Sequence, residues 1–336
     1  MLVRAGATWL GVTNAAEGER VRGALANAGF DADILVMSGF LPGDVPAMLR
    51  HKLTPVVWTA QQVAWLSDLG ASKIHLEVDT GMGRQGVRPG ADLVGLLSAI
   101  AGTDLSVNGV FTHFCSSEIA HSAMTYNQQR RFEGVIAQVR ASGLRPAWVH
   151  AGNTSTVDNP AQTAPWLRDL AATVGARAMV RSGLALYGYC LEVEGDAAPQ
   201  VAPALQPVMA WKAPVLSIRA LAPGETIGYN TLFTAEYAMR IALLPVGYAD
   251  GLRRELSSSN IAGSERRGGW VMLHGQRAPI LGRVSMNLTV ADITHIPGVG
   301  AGDEALLLGD GITAHDHARL AETIPYEILC GIKPSE

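Results

Sequence analysis

Seven times in its first 190 residues the chain enters a short apolar stretch and leaves it through a polar or glycine turn. These stretches are TWLGVT (8–13), ILVMSG (34–39), PVVWT (55–59), IHLEVD (74–79), VNGVFTHF (107–114), WVHAG (148–152) and AMVRSG (178–183). Between them apolar residues recur at helical spacing. Val21, Leu25 and Ala28 follow an Asn14 cap, Leu93, Leu96, Leu97 and Ile100 lie within 91–101, and Phe132, Val135, Ile136 and Val139 lie within 124–141. Strands that alternate with helices predict a parallel sheet, and a long run of such units predicts a (β/α) barrel. A closed barrel of this kind has eight strands, and AGATWLGVT enters the first of the seven almost at once. The expectation is an α/β fold, a (β/α)8-type barrel whose first βα unit is missing.

The texture changes after residue 195. GDAAPQVAPALQP (195–207) reads as a linker. The runs beyond it, APVLSI, MRIALLPVGY, WVMLHGQRAPILGRVSMNLTVADI and EALLLG, predict a mostly β second domain, with a hairpin at HGQ (274–276) and one helix over about 313–323. The boundaries predicted are 1–195 and 196–336. A hydrophobic content of 48% against 17% charged residues supplies a core and argues against disorder. A net charge of −4 with no basic run leaves no electrostatic footprint for nucleic acid, so Arg253–Arg254 and Arg266–Arg267 read as solvated surface. No apolar run has the length of a membrane span. Cys115, Cys190 and Cys330 are too scattered for a disulfide framework. With no cleavable leader in MLVRAGATWLGV, they predict a reduced, cytoplasmic location.

In a barrel, chemistry sits where strands end. Those ends carry Glu77, Asp79 and Arg84, then His113, then His150, Asn153, Thr154 and Ser155, then Arg181, Ser182 and Gly183. Hydroxyls and glycines after the last two strands suit a phosphate, and equally suit plain helix capping by Asn153 and Thr154. His75, His113 and His150 lack metal-ligand spacing, so no metal is expected. Dinucleotide, P-loop and GxSxG signatures do not occur. Tyr248, between Gly247 and Gly251, reads by itself as a half-buried turn residue.

VDTGMGRQG, THFCSSE, HAGNTS, RSGLALYG, GETIGYN, LPVGYADGLRR, GRVSMN and PYEILCG occur in this order across the whole chain. Together they resemble the alanine racemases. The resemblance implies a fold type III enzyme that uses pyridoxal 5′-phosphate (PLP), works as a head-to-tail homodimer, and interconverts L- and D-alanine for the cell wall. It implies Arg181 at the PLP ring nitrogen, and Thr154, Gly183, Leu184 and Tyr326 around the phosphate. Arg84 would meet the PLP phenolic oxygen and the substrate carboxylate, which Met286 would also meet through its N–H. Tyr248 would be a base reaching in from the partner subunit, and His113 its hydrogen-bond partner. Glu77 stands where many members have a carbamylated lysine, implying an ion pair with Arg84.

Three departures accompany the resemblance. Asn287 replaces the aspartate of SMD, and GIKPSE stops short of the family's tail. The Schiff-base lysine of a K-A-x-A-Y-G-H-G motif, at the end of the first barrel strand, is not among Lys52, Lys73, Lys212 and Lys333. The expectation is a racemase represented without its first unit. The alternatives are an inactive PLP-binding homologue and a racemase of another small amino acid such as serine.

Overall fold

A computed structural model of the chain describes residues 1–70, 73–158, 160–191, 193–195 and 204–333. Most of the expected linker, 196–203, lies outside the described residues. The chain divides into two compact units, Met1–Ala185 with Cys190–Ala204, and Leu186–Tyr189 with Leu205–Glu336.

In the first unit the seven apolar stretches form strands β1 (Trp9–Val12), β2 (Asp33–Val36), β3 (Leu53–Val57), β4 (Lys73–Glu77), β5 (Ser106–Phe111), β6 (Trp148–His150) and β7 (Arg177–Met179). They pair in parallel in chain order, with β1 and β7 each hydrogen-bonded on one side among the described residues. Helices α1 (Ala15–Asn27), α2 (Val45–Arg50), α3 (Ala60–Asp68), α4 (Ala91–Ala101), α5 (Ala123–Ala141), α6 (Thr154–Asp158) and α7 (Pro160–Ala172) make the crossovers. Their starts follow the sequence: Asn14 accepts from the Glu17 N–H, and Thr59 and Gln62 cap α3 reciprocally.

Both faces of the central strands are buried, which is why β3 is apolar almost throughout. One face joins the helices in the main core, with Ile34, Val36, Val57, Ile74 and Leu76. The other encloses a separate cluster of Leu35, Val56 and Phe111, with Trp9, Met37 and Trp58 against it. The rings of Trp9 in β1 and Trp148 in β6 stand 6.1 Å apart, although four strands separate them in the sheet. That contact requires a sheet curled into a partial barrel.

The second unit is mostly β, as expected. Its strands are β8 (Trp211–Pro214), β9 (Ser217–Leu221), β10 (Thr226–Ile227), β11 (Phe233–Thr234), β12 (Met239–Leu244), β13 (Trp270–Leu273), β14 (Gln276–Pro279), β15 (Thr289–Asp292) and β16 (Glu304–Leu308). Sheets ordered β15-β12-β9 and β14-β13-β16-β8 share a core that includes Val215, Leu244, Val271 and Leu307. The hairpin at HGQ is present. His274 and Gly275 have φ of 49° and 73°, the paired positive values of a tight turn whose twist matches its strands. The run APVLSI is two strands rather than one. At Val215 the N–H bonds to Asp303 and at Leu216 to Leu243, so β8 and β9 enter different sheets. Helix α8 (Ala314–Leu320) begins behind Thr313 as expected. Helix α9 (Pro325–Gly331) was not foreseen, because seven residues are too few to show a period.

Candidate active site

The first unit gathers its polar side chains at the carboxyl ends of β4 to β7. Arg181, two residues past β7, is the hub. Its Nη1 donates to His150 Nδ1 at 3.1 Å, and its Nη2 donates to the Thr112 carbonyl at 2.9 Å and to His113 Nδ1 at 3.1 Å. The guanidinium lies 4.8 Å from the centre of the Phe111 ring. Burial lowers its pKa to about 10, so it stays a cation near neutrality. Its Nε is enclosed and has no partner among the described residues. A buried N–H left unpaired is costly, so its retention points to a ligand acceptor.

Arg84 stands on the turn after β4. Asp79 Oδ1 accepts from the Gly81 and Gly83 N–H groups at 2.9 and 3.1 Å, and Val87 returns to bridge Val78. Gly86 has φ of 107°, and a Cβ there would lie 2.6 Å from the Asp79 nitrogen, so a side chain would force the turn open. The Arg84 side chain is exposed, and the expected ion pair with Glu77 is not formed. Glu77 instead accepts from Gln85, whose amide also donates to Met37 O at 2.9 Å. The physical reason is direction: Glu77 points inward and is buried, while Arg84 reaches solvent from the turn. Burial raises the Glu77 pKa, against the pull of Gln85, Arg181 and Arg84.

His113 is lowered to about 4, first by burial and then by Arg181 and Arg84. Buried Gln128 of α5 fixes its loop, donating to His113 O at 2.9 Å and accepting from the Cys115 N–H at 3.0 Å. Beyond β6, Thr154 Oγ1 accepts from the Gly183 and Ala185 N–H groups, both at 3.2 Å. Leu184 lies buried between them. This brings Thr154, Gly183 and Leu184 together. No cluster suited to a metal ion exists among the described residues.

The second unit holds its three candidates in one block. The Tyr248 N–H donates to Ser285 O and the Ala249 N–H to Met286 O, joining the Tyr248 and Met286 loops. The same loop meets the helix that carries Tyr326: the Arg253 guanidinium donates to Glu327 at 2.7 Å, and the Lys333 N–H to Asp250 O at 3.0 Å. Within this unit Tyr248 and Met286 are 44% and 56% exposed, free for a ligand or partner to cover. Gly247 explains why the motif needs glycine, since a Cβ would fall 2.2 Å from Ser285 O and 2.4 Å from Met286 O. Gly247→Ala is expected to lower unfolding free energy by about 1–3 kcal/mol, an overpacking cost, read from urea denaturation; an unchanged midpoint would contradict the close approach.

Residues 1–190 match the family description "Alanine racemase, N-terminal domain", and residues 208–335 match "Alanine racemase, C-terminal domain". The chain belongs to the alanine racemase family. The alanine racemase of Halothermothrix orenii is 33% identical over 341 residues, covering 98% of this chain and 82% of that protein. That of Desulfovibrio desulfuricans is 34% identical, with the same shares covered. The crystal structure of the Bacillus anthracis alanine racemase with bound L-Ala-P superposes with a TM-score of 0.81 at 29% identity, covering 98% of this chain and 80% of that one. The chain is thus an α/β barrel-type member of a family of amino-acid isomerases. Against the family motifs, sequence reasoning missed Gln85 as the partner of Glu77, and His75 behind His150. A polar residue at an inward position of β4 was the signal for the second.

Proposed function

We propose that the carboxyl ends of β4 to β7 hold PLP and serve the interconversion of L- and D-alanine, the D-isomer supplying cell-wall peptidoglycan. One observation carries the reading: Arg181 presents an enclosed Nε with no partner among the described residues, while His150, Thr112 and His113 hold its Nη1 and Nη2. An aromatic nitrogen that is not protonated is the acceptor such a donor fits. PLP, when bound, supplies a ring that takes up the electron pair left as the α-proton departs. Arg181 holds a cation against the ring nitrogen, which keeps that nitrogen unprotonated. Thr154 offers its hydroxyl and Leu184 its backbone N–H to the phosphate, and the Gly183 N–H, held by Thr154 Oγ1 in the free protein, turns to it on binding. Arg84, exposed and in no ion pair among the described residues, takes the substrate carboxylate. Glu77 is the counter-charge to the two arginines, and His113 receives its orientation from Arg181.

Tyr248, Met286 and Tyr326 keep the roles that family resemblance gives them, Tyr248 as the base contributed by a second copy of the chain in a homodimer. The reading divides the chain at 195, with PLP bound by 1–195 and the β domain formed by 196–336. It places the enzyme in the cytoplasm. No described helix is long and apolar enough to cross a membrane, and Cys115 and Cys330 form no disulfide among the described residues.

The experiment is equilibrium titration with PLP followed by absorbance. A hydrogen bond from a charged donor contributes about 1.5–3 kcal/mol, so Arg181→Met should weaken binding about tenfold to a hundredfold. Glu77→Gln, which keeps a polar partner for Gln85, should weaken it less and should not respond to bicarbonate. Unchanged PLP affinity in Arg181→Met would remove the basis of the proposal.

A further inference from the structure

A buried polar column continues inward from Arg181. His150 Nε2 meets His75 Nδ1 at 2.9 Å, and His75 Nε2 meets the Asn108 side-chain amide at 3.4 Å. Both imidazoles have zero exposure. Their surroundings are shaped to hold them. Phe111 stacks on His150 at 4.4 Å, and Trp9 covers His75 at 4.8 Å. Gly109, beside His75 in the sheet, reserves its place, because a Cβ there would lie 2.5 Å from the ring.

The direction of the column follows from its first member. A guanidinium can only donate, so His150 Nδ1 must accept. A neutral imidazole has one N–H, so His150 carries it on Nε2 and donates to His75 Nδ1. His75 in turn carries its proton on Nε2, toward the Asn108 amide; Nδ2 stands there at 3.4 Å, so this direction requires the amide to be flipped, placing its oxygen as the acceptor. Burial holds both rings neutral, His75 at about 3 and His150 well below the ordinary histidine value.

We infer that His75 is a positioning residue for Arg181, acting through His150 by holding it in the Nε2–H tautomer that leaves Nδ1 free to accept from the guanidinium. The inference rests on the reading of Arg181 as the donor to the PLP ring nitrogen. Without an acceptor at His75, the buried Nε2–H of His150 is unsatisfied. Moving that proton to Nδ1 relieves it, but sets N–H against N–H at Arg181. The guanidinium must then shift, and its Nε with it.

Two measurements test this. In protein labelled with 15N-histidine, long-range 1H–15N correlation near neutral pH should show both rings as Nε2–H tautomers. An Nδ1–H or imidazolium pattern for either overturns the inference. In the second, PLP is titrated into the parent, His75→Gln and His75→Phe. Glutamine offers a carbonyl to His150, and phenylalanine fills the space with no acceptor. His75→Phe should bind PLP at least tenfold more weakly and shift His150 to Nδ1–H, while His75→Gln keeps the parent tautomer and most of the affinity. Equal affinity in all three proteins, or equal losses in both variants, overturns it. Should His75→Phe not fold, the His150 tautomer in His75→Gln decides. If the parent takes up no PLP, the proposed function fails while the tautomers still decide the column.

Discussion

Lowering the pH from 7 to about 5 is expected to cost this protein about 6 kcal/mol of stability. His75, His113 and His150 are neutral in the folded state, with pKa values lowered to about 3, to about 4 and well below 6.5. Burial is the leading cause in each. In the unfolded chain they return to about 6.5. A histidine whose folded pKa is depressed contributes stability that is complete above 6.5 and is lost as pH falls toward the folded value. Each withheld proton costs about 1.4 kcal/mol per pH unit, so three cost about 4 kcal/mol per unit, against a usual total of about 5–15 kcal/mol. Glu77 works the other way, since its raised pKa gains stability on acidification, but it is one group against these three, and buried His317, also lowered, adds to their side. Urea unfolding at stepped pH should show this slope beginning near 6.5. His75→Gln should flatten it by about 1.4 kcal/mol per unit. Constant stability down to about pH 5 would mean the rings are not held neutral.

A second large effect concerns the lysines. Racemisation through PLP needs an amine that carries the cofactor and a base on each face of the α-carbon. Lys52 lies before β3, Lys73 opens β4, Lys212 is in β8 paired with Glu304, and Lys333 follows α9. None stands at the carboxyl end of a strand in the first unit. The 336 residues by themselves are therefore expected to bind PLP reversibly, to leave all of it removable after borohydride treatment, and to racemise alanine no faster than free PLP. Mass spectrometry decides: a pyridoxyl group on Lys52, Lys73, Lys212 or Lys333, together with turnover, would contradict this placement.

The barrel was legible because its signal is periodic. Seven apolar runs, the Asn14 cap and the faces of α4 and α5 follow from side-chain spacing alone. The second unit was legible only in class. APVLSI gives no sign that the chain changes sheets at Val215 and Leu216, since that depends on which strands Asp303 and Leu243 bring near. At the site, Arg181, Thr154, Gly183 and His113 were singled out by their place after strands together with the family motifs. The Glu77 to Arg84 pair failed because spacing of seven says nothing about which way each side chain turns. Gln85, the neighbour that faces inward, holds the carboxylate instead. His75 was passed over because a lone strand histidine is more often core filling, and its role depends on His150, 75 residues away.

The most direct measurement is a crystal structure of the protein grown with PLP. The ring nitrogen should lie within hydrogen-bond distance, about 3 Å, of Arg181 Nε, with the phosphate beside Thr154 and the N–H groups of Gly183 and Leu184. PLP with its ring nitrogen against a carboxylate, or bound away from the ends of β6 and β7, would contradict the account.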